Sequence, residues 1–346
     1  MVKSFINSLF SQGGYYLKNY LKIVVAFILI ITCLTLTSCT QTEKGENQLQ
    51  EKEQITDYKE MVFSFEHPQT KQKYKIIHAN QLFYPYIEKV KDNPNLSTSE
   101  TLELYNKEII QPIYQDCFEN GEYLQLAEKL FLNTVPDNLT ELQVLSKEIE
   151  TRKGEINRLI EETLLKSADL LPSQTDIAVC VIPSPTNMKL PFLTVGAGKI
   201  IIPYNLNLTD DFIKGAVAHE YHHSVWAEKY FSKDDWSSVL DNIVFEGKAM
   251  MFQKSVYPDL DLIPTDLTYN KELWSKVEPD LNKYDLNRTL EILNGGKELP
   301  IYYGYSEGYK MIKSYLDLNP DKTPEEWTAL SSKEIIEKGN YLENYK

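Results

Sequence analysis

The sequence predicts an α+β fold that is mostly helical, with a small sheet beside one long helix that carries histidines. Two observations support this prediction. Apolar residues recur at helical spacing over two long stretches, 98–171 and 209–256. Short β-branched runs, bounded by polar turns or proline, occur near 63–77 and 175–203. The second group of strands comes directly before the histidine-bearing helix, so we expect the sheet to lie next to it.

The first forty residues have the organisation of an export signal. Three lysines and no acidic residue precede an apolar stretch of fourteen residues, Ile23–Leu36, which is short for a membrane span but typical of a signal-peptide core. The following Leu36-Thr37-Ser38-Cys39 resembles a bacterial lipobox, where the chain is cut before the cysteine and the cysteine is lipidated. We therefore expect a lipoprotein signal peptide at 1–38, a lipidated Cys39 and a flexible tether at 39–58. An ordinary secretory signal or an anchoring helix is the alternative.

Charge and cysteine content limit the environment and the partners. Cleavage after residue 38 removes three of 36 basic residues and no acidic one, so 33 basic and 50 acidic residues remain, a formal charge of −17. Such a surface disfavours nucleic acid and anionic headgroups, so attachment to the outer face of the cell membrane would depend on the lipid. Cys117 and Cys180 lie outside the signal among apolar neighbours. We expect two buried free thiols, although an oxidising exterior would allow them to pair.

The remaining chain is divided into a mainly helical N-terminal region at 59–170 and a region at 171–346 that carries the histidines. Two short strands open the first region and a helical pattern with breaks near Pro112, Gly121 and Pro136 follows, ending in one or two helices over 141–171. The second region opens with a strand at 175–182 and a glycine-led strand at 194–203, stopped by proline. An extended peptide can pair with an edge strand, so this second strand, directly before the histidine-bearing helix, is a candidate for holding a substrate backbone.

The run His219-Glu220-Tyr221-His222-His223 contains the pattern H-E-x-x-H within a helix predicted from a Thr209 cap to about Tyr230. Three of the five histidines of the chain are in this run, which favours a metal site over ordinary buried histidines. Both His219 and His223 belong to an inward stripe at helical spacing, together with Phe212, Ala216, Trp226 and Tyr230. Glu220 is about 100° round the helix from His219 but can lean across the site as a base. His222 is off this face, and either a place beside the site or a surface position remains open for it.

A third metal ligand is predicted on the next helix, expected from about Trp236 to Val256 after a short loop at 231–235. If the two helices pack antiparallel, His223 and His219 lie about 10 and 16 Å from the turn, and the tenth residue of the second helix lies about 15 Å along it. Glu246 occupies that level, in an otherwise apolar inward row. An exposed surface position is the alternative for this carboxylate.

With these motifs the chain resembles the YjaZ-type family of predicted bacterial zinc-dependent proteases, within the broader gluzincins. The resemblance rests on the H-E-Y-H-H string and on Phe245-Glu246-Gly247-Lys248-Ala249, and it covers residues 170–345. It implies a zincin-like metallopeptidase fold and one Zn²⁺ ion per chain, held by His219, His223 and Glu246, with Glu220 as the catalytic base. Met250 stands where the thermolysin-like pattern has an aspartate, so a carboxylate that orients a histidine is not evident; Asn242 or Asp241 is a candidate for that role.

The expected function is hydrolysis of peptide bonds in a peptide or protein substrate, with zinc-activated water and Glu220 as general base. Tyr305 and Tyr309 flank Gly308 and are candidate donors to the oxyanion, although most of the 23 tyrosines must serve packing. The alternative is a non-catalytic metal-binding or peptide-binding lipoprotein that retains the zincin fold. An intact Glu220 favours the enzyme, because a binding protein has no use for a base beside the metal.

Overall fold

The computed structural model describes residues 58–232, 237–296 and 298–346. The signal peptide predicted at 1–38, the lipidated Cys39 and all but the last residue of the tether predicted at 39–58 lie outside these residues. The structure is 60% helical with one five-stranded mixed sheet, which confirms the predicted α+β class. Within the described ranges, no helix has both the length and the apolarity needed to cross a membrane.

The sheet has the strand order β1-β2-β3-β5-β4. Its strands are β1 (Val62–Glu66), β2 (Lys73–His78), β3 (Ile177–Pro183), β4 (Leu193–Gly196) and β5 (Lys199–Tyr204). The three inner strands β2, β3 and β5 are parallel, and the two outer strands, β1 and β4, each pair antiparallel with their neighbour. Strands from both predicted regions share this sheet; the boundary at residue 170 stays a prediction.

Helices cover both faces of the sheet. In chain order they are α1 (Tyr58–Met61), α2 (Asn80–Asp92), α3 (Thr98–Tyr105), α4 (Gln111–Cys117), α5 (Leu124–Ala127), α6 (Leu139–Leu170), α7 (Asp210–Tyr230), α8 (Val239–Val256), α9 (Lys271–Ser275), α10 (Leu286–Asn294), α11 (Tyr303–Leu318), α12 (Pro324–Thr328) and α13 (Ser332–Lys338). Single π-helical turns follow α3 and α5, at Asn106–Ile110 and Glu128–Leu132. The helical path therefore runs through the break expected near Pro112, which lies in the first turn of α4, directly after the π-helical turn Asn106–Ile110.

The alternation of the inner strands separates two apolar cores. Side chains such as Val179 and Ile200 face a layer that contains α6, α7, α8 and α11. Their neighbours Cys180 and Ile201 face a second layer, built from α2 to α5. Because strand residues point alternately to opposite faces, a strand buried on both sides is apolar throughout, as all seven residues of β3 are buried.

The single strand predicted at 194–203 is wrong, because a tight turn at Ala197-Gly198 folds this segment into the hairpin β4–β5. Gly198 has φ +74°, and a Cβ there would lie 2.4 Å from the carbonyl oxygen of Asp176, so the turn requires glycine. Pro203 lies inside β5 rather than ending it. The Tyr204 carbonyl accepts a hydrogen bond from Ser184 N, so the backbone groups of Tyr204 face β3. Those of its neighbour Pro203 therefore face the opposite side, where pairing with β4 has already ended at Ile201. The N–H that proline lacks is not needed there.

The prediction of two free thiols is also wrong. Cys117, at the end of α4, and Cys180, in β3, form a disulfide with 6.1 Å between their Cα atoms. Both were correctly expected to be buried, but the sequence does not reveal that α4 crosses β3 where the two side chains meet. The bond fastens the N-terminal helical layer to the centre of the sheet.

Candidate metal centre

The histidines are positioned by α7, whose start is set by its cap. The Thr209 side chain accepts a hydrogen bond from Phe212 N at 3.1 Å, and Asp210 and Asp211 place negative charge in the first turn. Both His219 and His223 are 6% exposed, so the predicted stripe does face inward at this level. Its first member does not, since Phe212 is 40% exposed and stacks edge-on to Phe192 near the protein surface.

Glu246 is brought to the same level by α8. A capping box between Ser238 and Asp241 starts this helix, so it begins about three residues later than the sequence predicts. One Glu246 carboxylate oxygen lies 3.2 Å from His219 Nε2 and 3.4 Å from His223 Nε2. The two histidine Nε2 atoms are 3.0 Å apart. In the described part of the chain, this trio is the only group of three or more histidine, cysteine, aspartate or glutamate side chains arranged so that they could hold a metal ion.

The geometry of these three atoms fits zinc. With zinc–ligand bonds of 2.0–2.2 Å, the edges of a tetrahedral site are about 3.3 Å long. The three observed separations fall around that value. Two imidazole nitrogens and one carboxylate oxygen are ligands that zinc accepts, and three protein ligands leave a fourth position open. The residues present therefore fit a catalytic rather than a closed structural zinc site.

Charge at the site matches this ligand set. Burial alone would lower the pKa of His219, but the hydrogen bond and charge of Glu246, with the charge of Glu220, raise it above its ordinary value. Burial would likewise raise the pKa of Glu246, yet the charge and hydrogen bonds of the two histidines hold it well below its usual range. The metal-free protein thus keeps an anion at Glu246, ready to bind a cation.

Glu220 is held at the edge of the sheet by Thr194 of β4. Its Oε2 accepts from Thr194 N at 2.7 Å and from Thr194 Oγ1 at 2.9 Å, and the same hydroxyl lies 2.7 Å from the Glu220 carbonyl oxygen. Ser224, one turn further along α7, accepts from Gly198 N at 2.8 Å and fixes the hairpin turn. The edge strand is therefore built onto the helix, and it orients the carboxylate next to the histidines.

For the peptide hydrolysis that the sequence leads us to expect, Thr194→Val should lower kcat/KM about tenfold while zinc content stays unchanged. Valine has the same shape and keeps the backbone N–H bond, so only the hydroxyl that orients Glu220 is lost. Thr194→Ser, which retains the hydroxyl, is the matched control and should remain close to wild type. Peptidase kinetics and metal analysis check both variants; equal loss in both would assign the effect to packing.

A close helix crossing places Tyr305 near the carboxylates. A Cβ on Gly247 would lie 2.1 Å from the Gly308 carbonyl carbon, so the backbones of α8 and α11 touch. On α11, the phenol pKa of Tyr305 is raised well above its ordinary range by the charge of Glu246, by burial and by the charge of Glu220. Tyr309, one turn further along α11, is partly buried and packs against the apolar core.

Comparison with known proteins gives the family. Residues 156–337, just over half of the 346 residues, match the family described as predicted Zn-dependent protease (DUF2268). The protein belongs to this family of predicted zinc-dependent proteases. No curated protein and no solved structure matches the chain.

Within this family region, His222 faces away from the candidate ligands. It is fully buried, its Nε2 lies 3.2 Å from Thr328 Oγ1, and its ring stacks on Trp327. Burial lowers its pKa well below the ordinary value, so the ring is neutral. Lys248 holds the same segment by donating to the Thr328 and Leu330 carbonyls at 2.9 and 2.5 Å. The surface position left open for His222 is therefore wrong; this histidine anchors the C-terminal helices against α7.

The residues suggested for orienting a ligand histidine do not do so. Asp241 accepts from Ser238 N at 2.9 Å and is bonded by the Ser332 hydroxyl, while Asn242 donates to the Ser238 carbonyl. Both side chains therefore secure the start of α8. In the described residues, the Nδ1 atoms of both candidate ligands are buried without a partner.

One tyrosine near the centre was not predicted. Tyr123 belongs to the N-terminal region, outside the residues matched by the family, and its pKa is raised by burial and by the charges of Glu122 and Glu246. It is one of 23 tyrosines and is about a hundred residues from the histidines, so no local pattern marks it. Only the path of the chain over the sheet brings it to the site.

Proposed function

We propose that this protein is a zinc-dependent peptidase that hydrolyses peptide bonds in peptide or protein substrates. The observation that carries the proposal is the convergence of His219, His223 and Glu246 around one point, with Glu220 beside them in a fixed orientation. A family membership that predicts zinc-dependent proteolysis supports it. The family region contains all four residues.

Each side chain of the site would have a separate role in hydrolysis. His219, His223 and Glu246 would hold the ion, which when bound would supply Lewis-acid activation of water and of the scissile carbonyl. Glu220 would take a proton from the attacking water and pass it to the leaving amine. Both Thr194 bonds go to Oε2, which leaves Oε1 as the oxygen that carries the proton. Tyr305, which stays protonated, would donate to the oxyanion.

The edge strand β4 would guide the substrate, but only over a short length. Thr194 N is engaged by Glu220, and the Val195 carbonyl accepts from Tyr123 N at 2.8 Å. Backbone groups already paired inside the protein are not available to a substrate strand. We therefore infer that side-chain contacts contribute more to substrate binding than extended pairing along β4.

We propose further that the enzyme works outside the cytoplasm, attached by lipid at Cys39. The lipobox-like Leu36-Thr37-Ser38-Cys39 supports this location, and so does the disulfide, since such bonds persist in oxidising compartments. Mass spectrometry of the protein extracted from membranes should find a diacylated Cys39 at the mature N-terminus. An intact N-terminal segment would overturn the anchor without affecting the proposed chemistry.

The decisive test is a digest of a proteome-derived peptide library by detergent-purified protein, read by mass spectrometry. The zinc-loaded protein should contain one ion per chain and cleave a defined set of peptides. Removal of zinc with a chelator should stop cleavage, and added zinc should restore it. Absence of zinc after growth in zinc-sufficient medium would refute the proposal, whereas bound zinc without any cleavage would favour the non-catalytic binding lipoprotein.

A further inference from the structure

Tyr123 lies on a short segment, Gly121–Tyr123, that is fixed to the edge strand. Tyr123 N donates to the Val195 carbonyl at 2.8 Å, and Glu122 Oε2 accepts from Ala197 N at 2.7 Å. A Cβ on Gly121 would lie 2.5 Å from that same Val195 oxygen, so the backbones are in direct contact. The segment follows α4 closely, and the disulfide of Cys117 fastens the end of that helix to the sheet.

From this segment the phenol ring reaches the rings around the metal centre. Tyr123 is edge-on to Phe245 and Phe231, with ring centroids 6.4 and 5.6 Å away. Phe245 in turn stacks on His223, with 4.0 Å between ring centroids. One aromatic ring therefore separates Tyr123 from a candidate ligand. The raised pKa of Tyr123, caused by burial and by the charges of Glu122 and Glu246, keeps its hydroxyl protonated.

The hydroxyl itself is buried and, among the described residues, has no hydrogen-bond partner. Buried phenol hydroxyls usually find one, so this group is ready to donate to something that enters the site. Tyr86 offers a comparison, because its hydroxyl is also buried without a partner. Its ring packs between Phe83 and Tyr105 in the other core, and burial is the whole cause of its raised pKa.

We propose that Tyr123 is a second hydrogen-bond donor of the active site, supplied by the N-terminal region from outside the family-matched residues, and that it binds the oxyanion of the substrate. This inference rests on the proposed zinc peptidase. Through Tyr123, the N-terminal half would contribute a side chain to the active site. Contacts with β4 and the disulfide position the segment that carries it.

The test compares Tyr123→Phe with the matched control Tyr86→Phe in the full-length, zinc-loaded protein. The probe is acetohydroxamic acid, which binds metal ions through its oxygens as the hydroxamate anion, and calorimetry gives its affinity. We expect Tyr123→Phe to weaken acetohydroxamate binding about tenfold, because a hydrogen bond to an anionic oxygen is lost. It should also lower kcat/KM at least about tenfold on a peptide that the wild type cleaves. Zinc affinity and Tm should stay unchanged in both variants.

The outcomes separate this inference from the proposed function. If the wild type binds zinc and acetohydroxamate but Tyr123→Phe binds the probe equally well, the donor role is refuted and the peptidase stands. A fall in zinc affinity would also refute it, since Tyr123 would then position Glu246 rather than contact substrate. A lower Tm for Tyr123→Phe but not for Tyr86→Phe would show that the Tyr123 hydroxyl has a structural partner, and this too would refute the donor role. Absence of zinc from the wild type would refute both proposals.

Discussion

Replacing Glu220 by glutamine is expected to lower kcat/KM for peptide hydrolysis by about 10³-fold while zinc content stays at one ion per chain. Glutamine has the same shape, and its carbonyl oxygen can still accept from Thr194 N and Oγ1. The variant therefore keeps the packing of α7 on β4. In the proposed function, what it would lose is the oxygen that takes a proton from water and returns it to the leaving amine.

The measurement is the library digest and steady-state kinetics, with metal analysis on the same preparation. Asp211→Asn is the matched control: it makes the same chemical change on the same helix, but at a side chain that is 69% exposed, and it should behave as wild type. If Glu220→Gln cleaves the same peptides at the wild-type rate, the activity belongs to a contaminant. If the variant loses zinc, the carboxylate contributes to metal binding, and the proposed division of roles is wrong.

The parts of this site that could be predicted depend on helical geometry. Residues 219 and 223 share a face because four residues make about one turn, and this holds in any helical context. The position of Glu246 followed from matching levels across a short turn between two antiparallel helices, and the structure places its oxygen within 3.4 Å of both Nε2 atoms. Such inferences need only the rise per residue and the assumption that consecutive helices pack.

What could not be predicted depends on contacts between distant segments. Thr194 meets Glu220 only because the glycine turn folds 193–204 into a hairpin, whereas the sequence suggests a single strand. The disulfide and the approach of Tyr123 both depend on how the N-terminal helices cross the sheet, 63 residues separating the two cysteines. No periodic pattern in the sequence predicts these contacts. The contact between Gly247 and Gly308 is of the same kind, because a glycine in a helix does not reveal which backbone approaches it.

Replacing Glu246 by glutamine is expected to weaken zinc binding by more than about 100-fold, a larger effect than that usually seen for residues that only support a ligand. The change removes the proposed anionic ligand but leaves both histidines in place. Competition with a fluorescent zinc chelator measures the affinity, and hydrolysis should disappear after dialysis. Glu272→Gln, at a side chain that is 83% exposed, is the control and should keep wild-type affinity.

The pH dependence of Tm, measured on the metal-free wild type and on metal-free Glu246→Gln, is a second test of the role of Glu246. In the wild type, Glu246 raises the pKa of His219 above 6.5, so this pair stabilises the fold below that pH and the gain is lost as pH rises through the raised pKa. In Glu246→Gln, the hydrogen bond and charge of Glu246 are lost, so that burial, which lowers the pKa of His219, is opposed only by the charge of Glu220. Without metal, the wild type should therefore exceed the variant in Tm by more at pH 6 than at pH 8. An unchanged difference, together with retained zinc affinity, would mean that Glu246 neither pairs with the histidines nor serves as the third ligand.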